Sequence, residues 1–326
     1  MSATVPSASE LARFSLPCQH GFTRRWVDDQ ARLANLAEAY AFDVRLATDL
    51  ELAAQRAQRM DVGHPADAFL NRWTTVSADL QAMFSIRFEG LDPDKPFVDA
   101  TVLSRRFTAD DLPALARVGH EVYDRFEPRY LRLWSAAQAD AHPGTDRDRR
   151  FLAAPLADLA ARQHLPAGLT LAPAKDLSRY EDAVAAYASV DETHRDHPAQ
   201  AAIQPADDLA ESIEAGTLFD VLVDGEWAGY VGATRDGGAD MGMDAYVVQE
   251  IILAPAYRGR RYGSHLTTLL AQRLPDRHRV LVGTIHADNR GALNAALDAG
   301  RYDVGGWVQV PYRSAGDAQG PRTRSR

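Results

Sequence analysis

Residues 247–253, "VVQEIIL", are an apolar run, followed at once by "APAYRGRRYG" and then by "SHLTTLLAQRL". The first stretch reads as a buried strand. The third carries Leu266, Leu269, Leu270 and Leu274 on one helical face and stops at Pro275. A strand that feeds a short loop and then a helix implies an α/β fold, with the loop at the end of the sheet. Into that loop the chain places Arg258, Arg260 and Arg261 among Gly259 and Gly263. The first turn of a helix offers unpaired N–H groups and the positive end of its dipole, which together hold anions. Glycines leave the backbone uncovered for a ligand, and guanidinium groups add charge-assisted donors. Two readings stand side by side: a cradle for a phosphate-bearing ligand, or a basic surface turn. The loop has neither the Gly-Lys-Ser/Thr of a Walker loop nor Gly-x-Gly-x-x-Gly.

The charge balance makes the loop informative, because its basicity is local. Net charge over the 326 residues is −9, which argues against a nucleic-acid or anionic-membrane binder. Cys18 is the only cysteine, so neither an internal disulfide nor a thiolate metal cluster is expected. The start, "MSATVPSASELARF", has no charged segment leading into an apolar one, and no run approaches the roughly 20 apolar residues of a membrane span. A cytoplasmic protein is expected.

The pattern divides near "HLPAGL", residues 164–169. Residues 1–165 are expected to form an N-terminal α/β domain, 166–313 a second domain, and 314–326 a disordered tail. The first 27 residues read as loosely held. Residues 28–60 suit one or two helices, and 67–81 another. "MFSIRFEG" and "FVDATVLS" read as paired strands, 108–126 as a helix, "RYLRLWSA" as a strand, 142–148 as a loop and 149–163 as a helix. After the boundary come strand, two helices, a hairpin turning at Asp224-Gly225, the strand–loop–helix unit, strand, helix and closing strand.

The loop and its surroundings resemble the GCN5-related N-acetyltransferase (GNAT) superfamily over about residues 168–312. The family signature is Gln/Arg-x-x-Gly-x-Gly/Ala after the fourth strand; Arg258 occupies its first position and Gly263 its last. Downstream, "ADNRGALNAALDAGRY" places Asn289, Ala292 and Gly300 in register with the family's Asn-x-x-Ala segment. The resemblance implies a mixed, mostly antiparallel twisted sheet flanked by helices, with acetyl-CoA or another acyl-CoA as co-substrate and no metal. It implies that Ile251, Ile252 and Leu253 pair with the pantetheine arm. The loop Arg258, Gly259, Arg260, Arg261, Tyr262, Gly263 and Ser264 would hold the diphosphate, with Asn289 near the pantetheine. An amide of the fourth strand would polarise the acyl carbonyl. The sequence departs from the family at two places: Arg261 stands where the signature has its first glycine, and Ala296 where a Tyr often protonates the thiolate.

The catalytic candidates are Glu250 as base, His286 as a relay or substrate contact, and Tyr302 as a substitute acid. His194 and His197 lie in a polar stretch, 191–198, of the region that shapes acceptor pockets, and read as a solvated loop rather than a metal site. The first half repeats part of the second half's element order without an Arg-x-x-Gly-x-Gly loop, and reads as a degenerate GNAT-like repeat or an unrelated accessory domain. The expected activity is acyl-CoA-dependent transfer to the amine of a small molecule or peptide, by a monomer or homodimer. The competing expectations are an inactive acyl-CoA sensor or scaffold and, less favoured, a nucleotide-phosphate enzyme.

Overall fold

The computed structural model of the chain describes residues 4–162, 164–193, 202–237 and 241–312. His194, Asp196, His197, residues 238–240 and the tail 314–326 lie outside these.

Helix α1 (Ala8–Ser15) opens on a reciprocal cap in which Ser7 and Glu10 bond each other's backbone, and it buries Leu11 against α2 (Asp29–Thr48). The N-terminal segment expected to be loose is therefore held. Helix α3 (Leu50–Met60) follows, so residues 28–60 form two helices broken at Asp49, which caps the second. The helix expected over 67–81 is replaced by a short turn and β1 (Arg72–Thr75), paired with β2 (Gln81–Phe88). Then come β3 (Pro96–Leu103), α4 (Leu112–Tyr123), β4 (Tyr130–Ser135), β5 (Asp146–Pro155) and the short α5 (Leu156–Ala160).

The second half runs β6 (Leu169–Pro173), α6 (Tyr180–Thr193), α7 (Ala206–Glu214), β7 (Leu218–Val223), β8 (Glu226–Gly237), β9 (Ala245–Leu253), α8 (Tyr262–Arg273), β10 (Val280–His286), α9 (Arg290–Asp298) and β11 (Tyr302–Pro311). Asp224 and Gly225, both at positive φ, make the two-residue hairpin turn that the dipeptide predicts.

The eleven strands of the described residues join one sheet in the order β1-β2-β3-β4-β11-β5-β10-β9-β8-β7-β6. Only β3–β4 and β9–β10 run parallel; each pair encloses a helix, α4 or α8, in its crossover. The last strand of each half lies in the other: β5 beside β10, and β11 beside β4. The two halves are thus interlocked at the sheet's centre. The helix expected over 149–163 fails here, since 149–155 belong to β5. β5 is central, with β10 on one edge and β11 on the other, and Phe151 through Ala154, which alternate between its faces, are all buried, so both faces are covered. A strand buried on both faces shows no polar alternation, so its Ala- and Leu-rich text mimics a helix.

The core lies on both faces of the sheet. Leu266 and Leu270 of α8 are fully buried over Leu281 and Tyr246, each leucine contributing about 2 kcal/mol. That burial anchors the body of α8 and leaves its first turn at the sheet's end.

Candidate functional site

Strands β9 and β10 pair over three rungs only, Ala245–Val247 with Val280–Val282, and then part. The cause is local to β9: it advances two residues, Val248 to Glu250, while β8 advances one, Gly232 to Ala233. The bulge at Gln249 bends the strand away from its parallel neighbour. Ser212 Oγ donates to Gln249 Oε1 at 2.7 Å, which pins the bulged residue to α7. Beyond it, Ile251, Ile252 and Leu253 remain paired with β8, while no strand of the described residues lies along their other edge. That edge can accept an extended ligand as an added strand.

From Leu253 the chain enters the turn toward α8. The Arg258 guanidinium is held inside: Nε donates to the Leu253 carbonyl at 2.8 Å, Nη1 to Ser189 Oγ at 2.9 Å and Nη2 to the Ala186 carbonyl at 2.6 Å. Its side chain ties the turn to α6. Gly259 has φ +73°, and a Cβ there would meet nothing within 4 Å. Arg261 sits at φ 62°, ψ 18°, the left-handed conformation that its glycine counterpart adopts freely, at a strain of about 1 kcal/mol. Its side chain is exposed, so it leaves the bend open. Arg260 is also exposed, its guanidinium over the Tyr257 ring at 5.7 Å. Among the described residues no side chain caps α8, and its first turn, Tyr262, Gly263 and Ser264, contains no acid. Gly263 has a packing reason as well, since a Cβ would meet that of Ala295 on α9 at 3.2 Å. The result is a helix N-terminus with unclaimed amides, flanked by two exposed arginines.

Residues 180–300 match the sequence model of the acetyltransferase (GNAT) family. Those residues form a GNAT domain within the chain. Among solved structures, a GCN5-related N-acetyltransferase from Sphaerobacter thermophilus is similar at TM-score 0.51 and 12% identity, over 95% of this chain and 95% of that one. A GNAT-family acetyltransferase from Colwellia psychrerythraea aligns at TM-score 0.46 and 12% identity, over 80% of this chain and 96% of its own. A GCN5-related N-acetyltransferase from Kribbella flavida aligns at 0.41 and 14%, over 81% and 95%. No curated protein matches. The Sphaerobacter likeness extends the fold relationship beyond the GNAT domain into the N-terminal half.

Within the GNAT domain the catalytic candidates do not converge on one point. Glu250 is buried beneath α6, where Oε1 accepts from the Gln204 N–H at 2.8 Å and Oε2 from the Tyr187 hydroxyl. Burial raises its pKa, and those two hydrogen bonds oppose the rise. His286 ends β10 half-buried, its Nδ1 accepting from the Asp288 N–H at 3.2 Å. Asn289 caps α9 by accepting from the Ala292 N–H at 3.0 Å. Ala296 is buried and offers no proton. Tyr302 opens β11, which β5 and β10 separate from β9, roughly 14 Å across three strand spacings. Its ring instead rests on Phe22 at 4.5 Å and near Trp26 at 6.0 Å.

Sequence reasoning missed three features. Tyr187 carries no motif and is revealed only by its bond to Glu250. Arg301 is buried, with Nε and Nη1 unpartnered, and a Cβ at Gly283 would lie 2.5 Å from its Nη1. It therefore covers the point where β9 and β10 part, and burial lowers its pKa to about 10. The third feature is a cavity of about 1120 Å³ in the N-terminal half. No group of three or more metal-ligating side chains is gathered among the described residues, and none of their helices is long and apolar enough to cross a membrane.

Proposed function

We propose that the GNAT domain moves an acyl group, acetyl in the first instance, from a coenzyme A thioester to the amine of a small molecule or peptide. The carrying observation is the pairing of an uncapped, acid-free α8 N-terminus with the open edge of β9, both at the end of one splayed strand pair. The amides of Tyr262 to Ser264, with Arg260 and Arg261, suit a diphosphate. The backbone of Ile251 to Leu253 suits the amides of a pantetheine arm. The bulge at Gln249 turns backbone groups toward the parting of the strands, where a donor N–H would stabilise the oxygen of a tetrahedral centre.

In the reaction the amine nitrogen bonds to the acyl carbon, the C–S bond breaks, and the thiolate leaves. The ammonium must first lose a proton. Glu250 is the group suited to take it: its carboxylate lies on β9 next to the bulge, and burial raises its pKa. Tyr187, hydrogen-bonded to Glu250, extends that carboxylate's reach. Tyr302 has no part in this reading. The division into an accessory half, 1–165, and a GNAT half, 166–313, belongs to the proposal, as do a cytoplasmic setting and a monomer or homodimer.

The test is thiol release from acetyl-CoA with a panel of primary amines, with donor affinity measured in parallel by calorimetry. Turnover on one amine class, lost in Glu250→Gln with donor affinity kept, is the expected result. The second reading, an acyl-CoA-binding sensor, is favoured by Ala296 and by the remote Tyr302. Donor binding without turnover on any amine would select it, and no donor binding would refute both.

A further inference from the structure

The cavity in the N-terminal half occupies the second place where parallel strands part. Strands β3 and β4 pair only over Val98–Ala100 and Leu131–Leu133; the lining continues past those rungs along Thr101 to Leu103 and Trp134 to Ala137. None of β7, β8, β9 or α8 contributes to it, so it is separate from the donor site.

Its lining is divided chemically. Arg56, Arg59 and Arg87 all line the cavity together with the carboxylate of Asp43, whose Oδ1 lies 3.9 Å from Arg87 Nη2. Arg56 donates to the carbonyls of Phe69 and Ile86 rather than to an acid, and burial together with the Arg87 charge lowers its pKa to about 10. Arg59 lies one turn further along α3, exposed. Three guanidinium groups with one carboxylate form an unbalanced cationic end. Elsewhere the wall includes an aromatic group, Phe97, Trp134, Phe151 and Trp307. Arg132 is neutralised by Asp99 at 2.7 Å and lies over the rings of Phe97 and Trp307. Trp134 and Phe151 continue that surface edge to face at 5.0 Å. The Trp134 indole N–H is buried without an acceptor, a state that a ligand oxygen would relieve.

Two ligand classes fit this wall poorly. An ammonium would face the cationic end, so the cavity does not suit the amine acceptor. A diphosphate would need the β3–α4 turn, whose polar groups are already engaged. Asp111 caps that turn and binds Arg105, which also binds Asp79, and Arg106 donates to the carbonyls of Pro17 and Gln19. We propose that the N-terminal half holds a second small-molecule site, taking a monoanionic carboxylate with an aromatic body and no diphosphate. The carboxylate meets Arg56, Arg59 and Arg87, and the ring lies against Trp134 and Trp307. This site stands whether or not the GNAT domain transfers acyl groups.

Three probes of one skeleton test it on the full chain: 3-phenylpropionate, 3-phenylpropanol and 3-phenylpropylamine, followed by calorimetry and by tryptophan fluorescence, since Trp134 and Trp307 line the wall. The carboxylate is expected to bind at least about tenfold more tightly than the alcohol, the amine not at all, and saturating acetyl-CoA to leave the binding unchanged. Arg59→Gln, at an exposed position, should remove most of the preference for the carboxylate, and Arg59→Gln with Arg87→Gln all of it. Thr101→Phe should abolish binding of both probes by filling the cavity. Equal binding of the three probes, binding of none, competition by acetyl-CoA, or an undiminished preference in the double variant would each overturn the proposal.

Discussion

The β3–α4 turn and the β9–α8 turn leave parallel strands in the same way and meet opposite electrostatic fates. In the first, Thr108 and Asp111 form a reciprocal cap, acids fill the first turn, and Arg105 closes over Asp79 and Asp111. The helix dipole and the orphan amides are answered from within the chain. In the second, the first turn has no acid and no cap, two residues take positive φ, and the half-buried Arg258 is tied to α6. The same backbone plan can thus be closed or left open to an anion by three or four side chains. Each parting of strands also keeps an orphan donor, the Trp134 indole in one half and the Arg301 guanidinium in the other.

The strongest way to break this contrast is to give the second turn an acid, as the first has. Ser264→Asp places a carboxylate at the third position of α8, where it should hold or slightly raise stability through the dipole while weakening acetyl-CoA binding about a hundredfold, or roughly 2.7 kcal/mol. Calorimetry and thermal melting read the two effects separately; unchanged affinity would place the diphosphate elsewhere. Next, Arg301→Met removes a buried charge whose Nε and Nη1 lack partners and should stabilise the free protein by about 1–3 kcal/mol in denaturant titrations. A loss instead would mean that the guanidinium is satisfied in solution. On the closed side, Thr108→Ala should cost about 1 kcal/mol of stability and leave acetyl-CoA affinity untouched. Arg261→Gly relieves the left-handed strain, a gain of up to about 1 kcal/mol, while loss of one guanidinium weakens donor binding by about threefold.

The smallest effect concerns pH. Burial raises the Glu250 pKa above its ordinary value of 4.5, so between those two values the folded state binds more protons than the unfolded one, and stability falls as pH rises. Glu250→Gln lacks that slope. Its stability relative to the parent should therefore increase with pH across that window and level off above it, as melting curves at a series of pH values would register.

The strand–loop–helix unit, the hairpin at Asp224-Gly225 and the order of elements from Leu169 onward were legible because each is encoded locally, by turn residues, apolar period and helix stops. The GNAT resemblance over that half rests on the same contiguous text. Strand β5 was not legible, because its partners β10 and β11 are more than a hundred residues away and its composition favours a helix. The cofactor loop was readable as a candidate, but the duty of Arg258 inside the fold was not, since Ala186 and Ser189 carry no sign of it. Glu250 was found by position along the strand; its bond to Tyr187 came only with the packing of α6.

The sequence by itself determined where backbone would bend and which stretches would seek a sheet or a helix face, since propensity, capping and periodicity act over a few residues. Tertiary structure alone decided the exchange of β5 and β11 between the halves, the parting of both parallel pairs, and the cationic end of the N-terminal cavity. These depend on contacts between distant segments, where burial and unbalanced charge are properties of the assembled surface and not of any stretch of chain.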